Sequence, residues 1–159
     1  MDYQKITTQD ILIIGKKAQL SFITNGAGTG NLARQFMPRL NEISNRVGTY
    51  SFSIQNYKSF NLKTMTPETL FEKWVGVEVS NIDSIPENME TLIIQGGDFL
   101  VFPFQGSVDE FVTFWQKLHT EWLPNSNYQL DNRPHFEKLP AGYNPMRDDN
   151  QEAIWIPIK

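Results

Sequence analysis

A faint internal repeat constrains this chain more than any motif in it. Leu12-Ile13-Ile14 returns eighty residues later as Leu92-Ile93-Ile94, and the same shift carries Leu20 onto Leu100 and Phe22 onto Phe102. Slightly longer shifts carry Trp74 onto Trp155 and Ile54-Gln55 onto Phe136-Glu137. In a chain of 159 residues such a period means two similar halves, about 1–82 and 83–159. Neither half is large enough to bury a sizeable core alone, so the two are expected to share one within a single domain.

Each half carries the same order of patterns. Residues 11–24 and 91–105 read as strands rich in Ile, Leu and Phe, with turns or bulges at Gly15 and Gly96-Gly97. In the second half Val108, Phe111, Val112, Trp115, Leu118 and Trp122 recur at helical spacing. Ser107 and Glu110 fit a capping box at its start, and Pro124 is expected to end it. The first-half helix is marked by Leu32, Phe36, Leu40, Ile43 and Val47. Pro38 lies inside that stripe and predicts a kink, or a helix whose first turn holds the proline. Two strands close each half: Tyr50–Gln55 and Leu70–Val79, then Pro134–Leu139 and Ala153–Ile158.

Strand side chains alternate between faces. Val75, Val77 and Val79 therefore share the helix side, as do Ile154, Ile156 and Ile158. Trp74 and Trp155 point away from it. Placing Phe136 on the helix side turns His135 and Glu137 away as well. The expected fold is α+β: a duplicated β-α-β-β module, two halves related by an approximate twofold, with an antiparallel sheet and a cleft between them. If the helix-free faces meet, Trp74, Trp155 and Glu137 line that cleft.

Composition narrows the functions available. Fourteen basic against eighteen acidic residues give a net charge of −4, the wrong sign for a nucleic-acid surface. No apolar run reaches the roughly 20 residues that span a bilayer, and the amino end lacks a secretory layout, so a cytoplasmic protein is expected. There is no cysteine, and the two histidines, His119 and His135, form no metal-binding spacing. No cofactor or metal is expected. Gly26-Ala27-Gly28-Thr29-Gly30 fits neither the dinucleotide fingerprint nor the P-loop and reads as a flexible turn. Aromatic residues make up 13% of the chain, which suits either a Phe-rich core or a ligand surface.

Several segments in order, Trp74-Val75-Gly76-Val77-Glu78-Val79, Ile85-Pro86, Phe104-Gln105-Gly106-Ser107, Glu121-Trp122-Leu123-Pro124, Arg133-Pro134-His135-Phe136-Glu137 and Ile154-Trp155-Ile156-Pro157-Ile158-Lys159, resemble the GyrI-like, or AraC-type effector-binding, small-molecule-binding domains. The resemblance runs over nearly the whole chain. It implies the duplicated (SHS2-type) module with a ligand between its halves, and small lipophilic, aromatic or cationic ligands. In transcription regulators this module senses an effector; the motifs leave no room here for a DNA-binding domain, so a stand-alone member is expected. Such members include proteins acting on gyrase and hydrolases of reactive small molecules. The family's ligand-contacting glutamate maps onto Glu137, and its aromatic positions onto Trp74 and Trp155.

A carboxylate under aromatic walls suits an organic cation, because partial desolvation strengthens the ion contact and each ring face adds to it. The same glutamate acting as general base would make a hydrolase, with Tyr50, Tyr143 or His135 as proton donor. Plainer readings stand beside these. Glu137 could be a rim carboxylate paired with Arg133 or Lys138, and Trp74 and Trp155 could pack on each other. Trp115 and Trp122 fall on the helical stripe and read as core. A third reading is an interaction protein whose partner is gyrase or a regulator.

Overall fold

Hydrogen bonding joins eight strands into one antiparallel sheet in the computed structural model, which describes residues 1–159. The chain runs through β1 (Gln4–Thr8), β2 (Ile11–Leu20), α1 (Asn25–Phe36), a 3-10 turn (Met37–Glu42), β3 (Ser51–Asn56) and β4 (Phe71–Val79). The second half supplies β5 (Glu90–Ile94), β6 (Gly97–Gly106), α2 (Val108–Lys117), a π turn (Leu118–Trp122), α3 (Leu123–Asn125), β7 (His135–Leu139) and β8 (Asn150–Pro157). The sheet order is β1-β6-β8-β7-β3-β4-β2-β5. Exchanging β1–β4 with β5–β8 leaves that order unchanged when it is read from the other end, as a duplicated unit would require.

For the first two strands of each half the register differs from the one the matching strings suggest, whereas Ile54 and Phe136, and Trp74 and Trp155, do fall on strands that correspond by topology. Leu12-Ile13-Ile14 and Leu92-Ile93-Ile94 are partners, not counterparts: Leu12 pairs with Ile93 and Ile13 with Leu92 across β2 and β5. By topology β1 corresponds to β5 and β2 to β6, each displaced by 86 residues. The segment expected as one strand over 91–105 is broken at Gln95-Gly96, and each half gains a leading strand. β1 pairs with β6 and β5 with β2, so each half lends its first strand to the other.

Both helices lie on one face of the sheet. Under α1, Leu32 and Phe36 pack with Ile14, Val75, Val77 and Val79. Under α2 and the turn after it, Leu118 and Leu123 pack with Leu100, Phe102, Ile154, Ile156 and Ile158. These are the valine and isoleucine rows that alternation assigns to the helix side. The opposite face has no helix, yet Phe52, Ile54, Trp74, Phe99 and Phe136 are buried there in one cluster. The sheet curls and covers that face with itself. Phe99 and Phe136, whose strands are separated by β8, lie 5.4 Å apart between ring centroids.

Three local expectations change. Gly26–Gly30 is not a flexible turn but the opening of α1, and Pro38 is the second residue of the 3-10 turn that follows. Proline lacks an N–H and is tolerated in a first turn. The capping box at Ser107 and Glu110 forms as expected, but helical structure passes Pro124 by one residue, because the π turn places the proline at the start of α3. Gly15 makes no bulge: β2 pairs with β4 without a break from Leu12 to Leu20, with Gly15 opposite Gly76. A Cβ on Gly76 would sit 2.6 Å from the Ile14 carbonyl oxygen, so the close strand contact itself demands glycine.

Candidate functional site

The helices pack over outer strands, α1 on β2 and β4 and α2 on β6, and β3 and β7 run between them at the middle of the sheet. Pairing puts Ser53 beside Glu137 and Gln55 beside His135. Ser53 also pairs with Val75, a helix-side residue, so Ser53, Gln55, His135 and Glu137 all face the helices. A cleft opens above them. It holds two cavities, of about 520 Å³ and about 450 Å³, which share Asn25, Phe111 and Glu137.

The smaller cavity is an aromatic chamber. Phe22, Tyr57, Phe71 and Trp115 line it, with Phe22 centred 5.7 Å from Trp115 and 5.5 Å from Phe71. The larger cavity is polar at its floor, with Lys73, Glu152, Tyr143 and Arg46 around Glu137, while Gly26, Gly30 and Ala33 of α1 form a low wall. Gly26 and Gly30 are four apart on one helix face, and their missing side chains leave the cavity its width.

Glu137 is 6% exposed. It accepts a hydrogen bond of 3.0 Å from Gln55 Nε2 and forms no ion pair; Arg133 pairs with Asp131 instead. Burial raises its pKa, against the pull of the Lys73 charge and the Gln55 hydrogen bond. Burial and then the Glu137 charge push Glu152 up to about 8. Burial lowers the pKa of Lys73, opposed by the two carboxylates. Tyr143 is pushed up to about 12 by burial and the same carboxylates. A partly desolvated acid that gains stability from an added positive charge is what this floor presents.

The expected site residues are scattered. Glu137 and Tyr143 meet in the cleft. His135 shares the helix side but lies behind the chamber wall, its ring centroid 5.1 Å from Tyr57 and 5.2 Å from Phe60; burial lowers it to about 3, and its Nε2 has no partner. Tyr50 is 44% exposed and lies outside both cavities, with Lys138 Nζ 4.7 Å from its ring centre. Trp74 and Trp155 point away from the helices, as alternation predicts, but no cleft is there. Trp74 donates to Glu72 Oε1 at 2.6 Å, and Trp155 stacks on Phe136 at 5.2 Å. The error is in Phe136: it pairs with Trp155 and so belongs to the helix-free face, which turns Glu137 toward the helices.

Lys73, Glu152 and Tyr57 line the cleft without a site expectation from the sequence, and Phe22, Phe111 and Trp115, which the sequence marks only by repeat or helical spacing, line it too. Two had a signal. Carrying the Val75–Val77–Val79 row back one step reaches Lys73, and carrying the Ile154–Ile156 row back one step reaches Glu152. A charged residue continuing a buried apolar row needs a partner or a ligand. A separate depression of about 1000 Å³, lined by Tyr3, Trp122 and Tyr128 among others, has no buried titratable group.

Comparison with known proteins agrees with this architecture. The family model described as GyrI-like small molecule binding domain matches residues 1–159. The structure of SAV2435 bound to tetraphenylphosphonium is similar at a TM-score of 0.76 and 17% identity, covering 100% of this chain and 94% of that one. A putative transcription regulation protein from Staphylococcus aureus is similar at 0.70 and 16%, over 100% and 99% of the two chains. EcmrR in its DNA complex is similar at 0.67 and 13%, over 99% of this chain and 57% of that one. No functionally curated protein matches by sequence. At these identities the structural likeness speaks for the fold. No helix is long and apolar enough to cross a membrane.

Proposed function

Because the chain belongs to the GyrI-like small-molecule-binding family, we propose that its ligand is a lipophilic organic cation, held between α1 and α2 with its charge over Glu137. One observation carries this reading: a carboxylate 6% exposed is common to both cavities of the cleft and forms no ion pair. Rings of Phe22, Tyr57 and Trp115 would take the apolar part, each contributing on the order of 0.5–2 kcal/mol where a ring face meets the cation. Tetraphenylphosphonium, the ligand of the similar SAV2435 structure, is a suitable probe. The similar regulator structures support a sensing role for the bound state.

A hydrolytic role is not favoured. It requires a proton donor beside Glu137, and the candidates are poorly placed or poorly acidic: His135 lies behind the wall, Tyr50 is outside, and Tyr143 is pushed up to about 12. Titration with tetraphenylphosphonium, followed by Trp115 fluorescence, tests the binding reading. Saturable quenching that weakens at least tenfold in Glu137→Gln is expected. Equal affinity of the variant and the wild type overturns the role of Glu137.

A further inference from the structure

The two halves of the cleft differ in charge, and the difference specifies a second part of the ligand. In the aromatic chamber the only charged residue is Glu137. The wider chamber adds two basic side chains, Lys73 and Arg46, and one further acid, Glu152. Lys73 is 2% exposed, lines the cavity, and takes part in none of the protein's ion pairs. Arg46 uses one guanidinium nitrogen for the Thr49 and Tyr50 carbonyls, at 2.8 and 3.1 Å, while its Nε is buried without a partner. A lysine only 2% exposed with no hydrogen-bond or ion-pair partner, beside a part-buried guanidinium whose Nε has none, is costly unless an acceptor reaches it from the cavity. Two such groups on one cavity call for an acceptor on the ligand.

We propose that the cleft selects a zwitterion: an organic cation with an apolar body in the aromatic chamber, its positive centre at Glu137, and an anionic group reaching past Glu137 to Lys73. This rests on the cation-binding reading of the same cleft. The glycine wall supports it, since Gly26 and Gly30 line the same chamber as Lys73 and leave it room that bulkier residues would take. Charge is then matched on both sides, with the ligand cation facing the carboxylate and the ligand anion supplying the partner Lys73 lacks. A purely cationic ligand satisfies Glu137 but leaves Lys73 unpaired and brings a like charge toward it.

The test uses two probes that differ in one group: (phenylbutyl)trimethylammonium, and the betaine in which one N-methyl is replaced by carboxymethyl. Calorimetric titration at pH 7 should show the wild type binding the betaine about tenfold more tightly, the scale of one charge-assisted hydrogen bond. Lys73→Met should reduce that ratio to one or below, and Lys73→Gln should do the same should the methionine variant fail to fold. Glu137→Gln should weaken both probes. The wild-type ratio reads without any variant. If the wild type binds the cation but prefers it to the betaine, or if both Lys73 variants keep the preference, the zwitterion proposal falls and cation binding stands. If neither probe nor tetraphenylphosphonium binds, both fall.

Discussion

Gln55 Nε2 donates to Glu137 Oε1 at 3.0 Å, diagonally across the central β3–β7 seam where one half meets the other. The bond favours the ionised carboxylate against the burial that raises its pKa. Gln55→Leu removes it and lets the Glu137 pKa rise further. Cation affinity at pH 6 should fall several-fold, and the midpoint of its pH dependence should move up. Titration of tetraphenylphosphonium between pH 5 and 9 checks both.

Glu152 supplies a second pH dependence. Its pKa is raised from 4.5 to about 8, so the folded protein holds a proton there that the unfolded chain releases. The resulting stability is fully present below about 4.5 and is lost as pH rises through about 8. The ligand-free melting temperature should therefore decline between pH 6 and 9. Cation affinity should rise over the same window, roughly fivefold, as Glu152 ionises beside the bound charge. Glu152→Gln should flatten both trends.

The buried histidines act on the acid side. Burial lowers His119 to about 4 and His135 to about 3, below the unfolded value of 6.5. The unfolded chain takes up protons first, so stability is lost as pH falls from 6.5 through these values. His119 alone should account for a loss on the order of 2–3 kcal/mol at pH 4.5. Urea denaturation of His119→Gln at pH 7 and 4.5 should show a smaller difference than the wild type.

Gly30 separates stability from binding. It lies inside α1, and an added Cβ would approach only the exposed Arg34 guanidinium, at 3.4 Å. Gly30→Ala should stabilise the protein by about 0.5–1 kcal/mol through helix propensity. Gly30→Leu should fold as well but lose ligand affinity at least tenfold by filling the wider chamber. Paired melting and titration curves distinguish the two effects.

The tryptophans should divide by face. Trp115→Leu should weaken tetraphenylphosphonium by about fivefold, the scale of one ring contact, with little change in melting temperature. Trp155→Phe should leave affinity unchanged. Trp74→Ala should destabilise the fold by about 3–5 kcal/mol, since Trp74 is 2% exposed in the helix-free core. A binding loss from Trp155→Phe larger than that from Trp115→Leu would contradict the assignment of the cleft to the helix side.

Alternation and periodicity determine much of this protein without help from its fold. The capping box at Ser107 and Glu110, the valine and isoleucine rows that meet the helices, and the outward turn of Trp74 and Trp155 all follow from local backbone geometry, which has a period of two in strands and near 3.6 in helices. Glu137 is picked out in the sequence only by the family resemblance of the short segment around it; its burial at the floor of the cleft is a property of the fold. A repeat is suggested too: its matches at Ile54 and Trp74 fall on strands that correspond by topology, but those at Leu12-Ile13-Ile14 do not, since strings as plain as Leu-Ile-Ile fit a partner strand as well as a counterpart.

The location of the cleft is a different kind of fact. Periodicity says that a strand has two faces; it does not say which one a helix covers, and one wrong parity at Phe136 moves Glu137 across the sheet. That parity is decided by long-range pairing, Phe136 with Trp155 and Glu137 with Ile154, and by the sheet curling until its helix-free side closes on its own aromatic rings. What remains open is the gap between α1 and α2, and only packing among residues far apart in the chain brings Lys73, Glu137 and Glu152 to its floor.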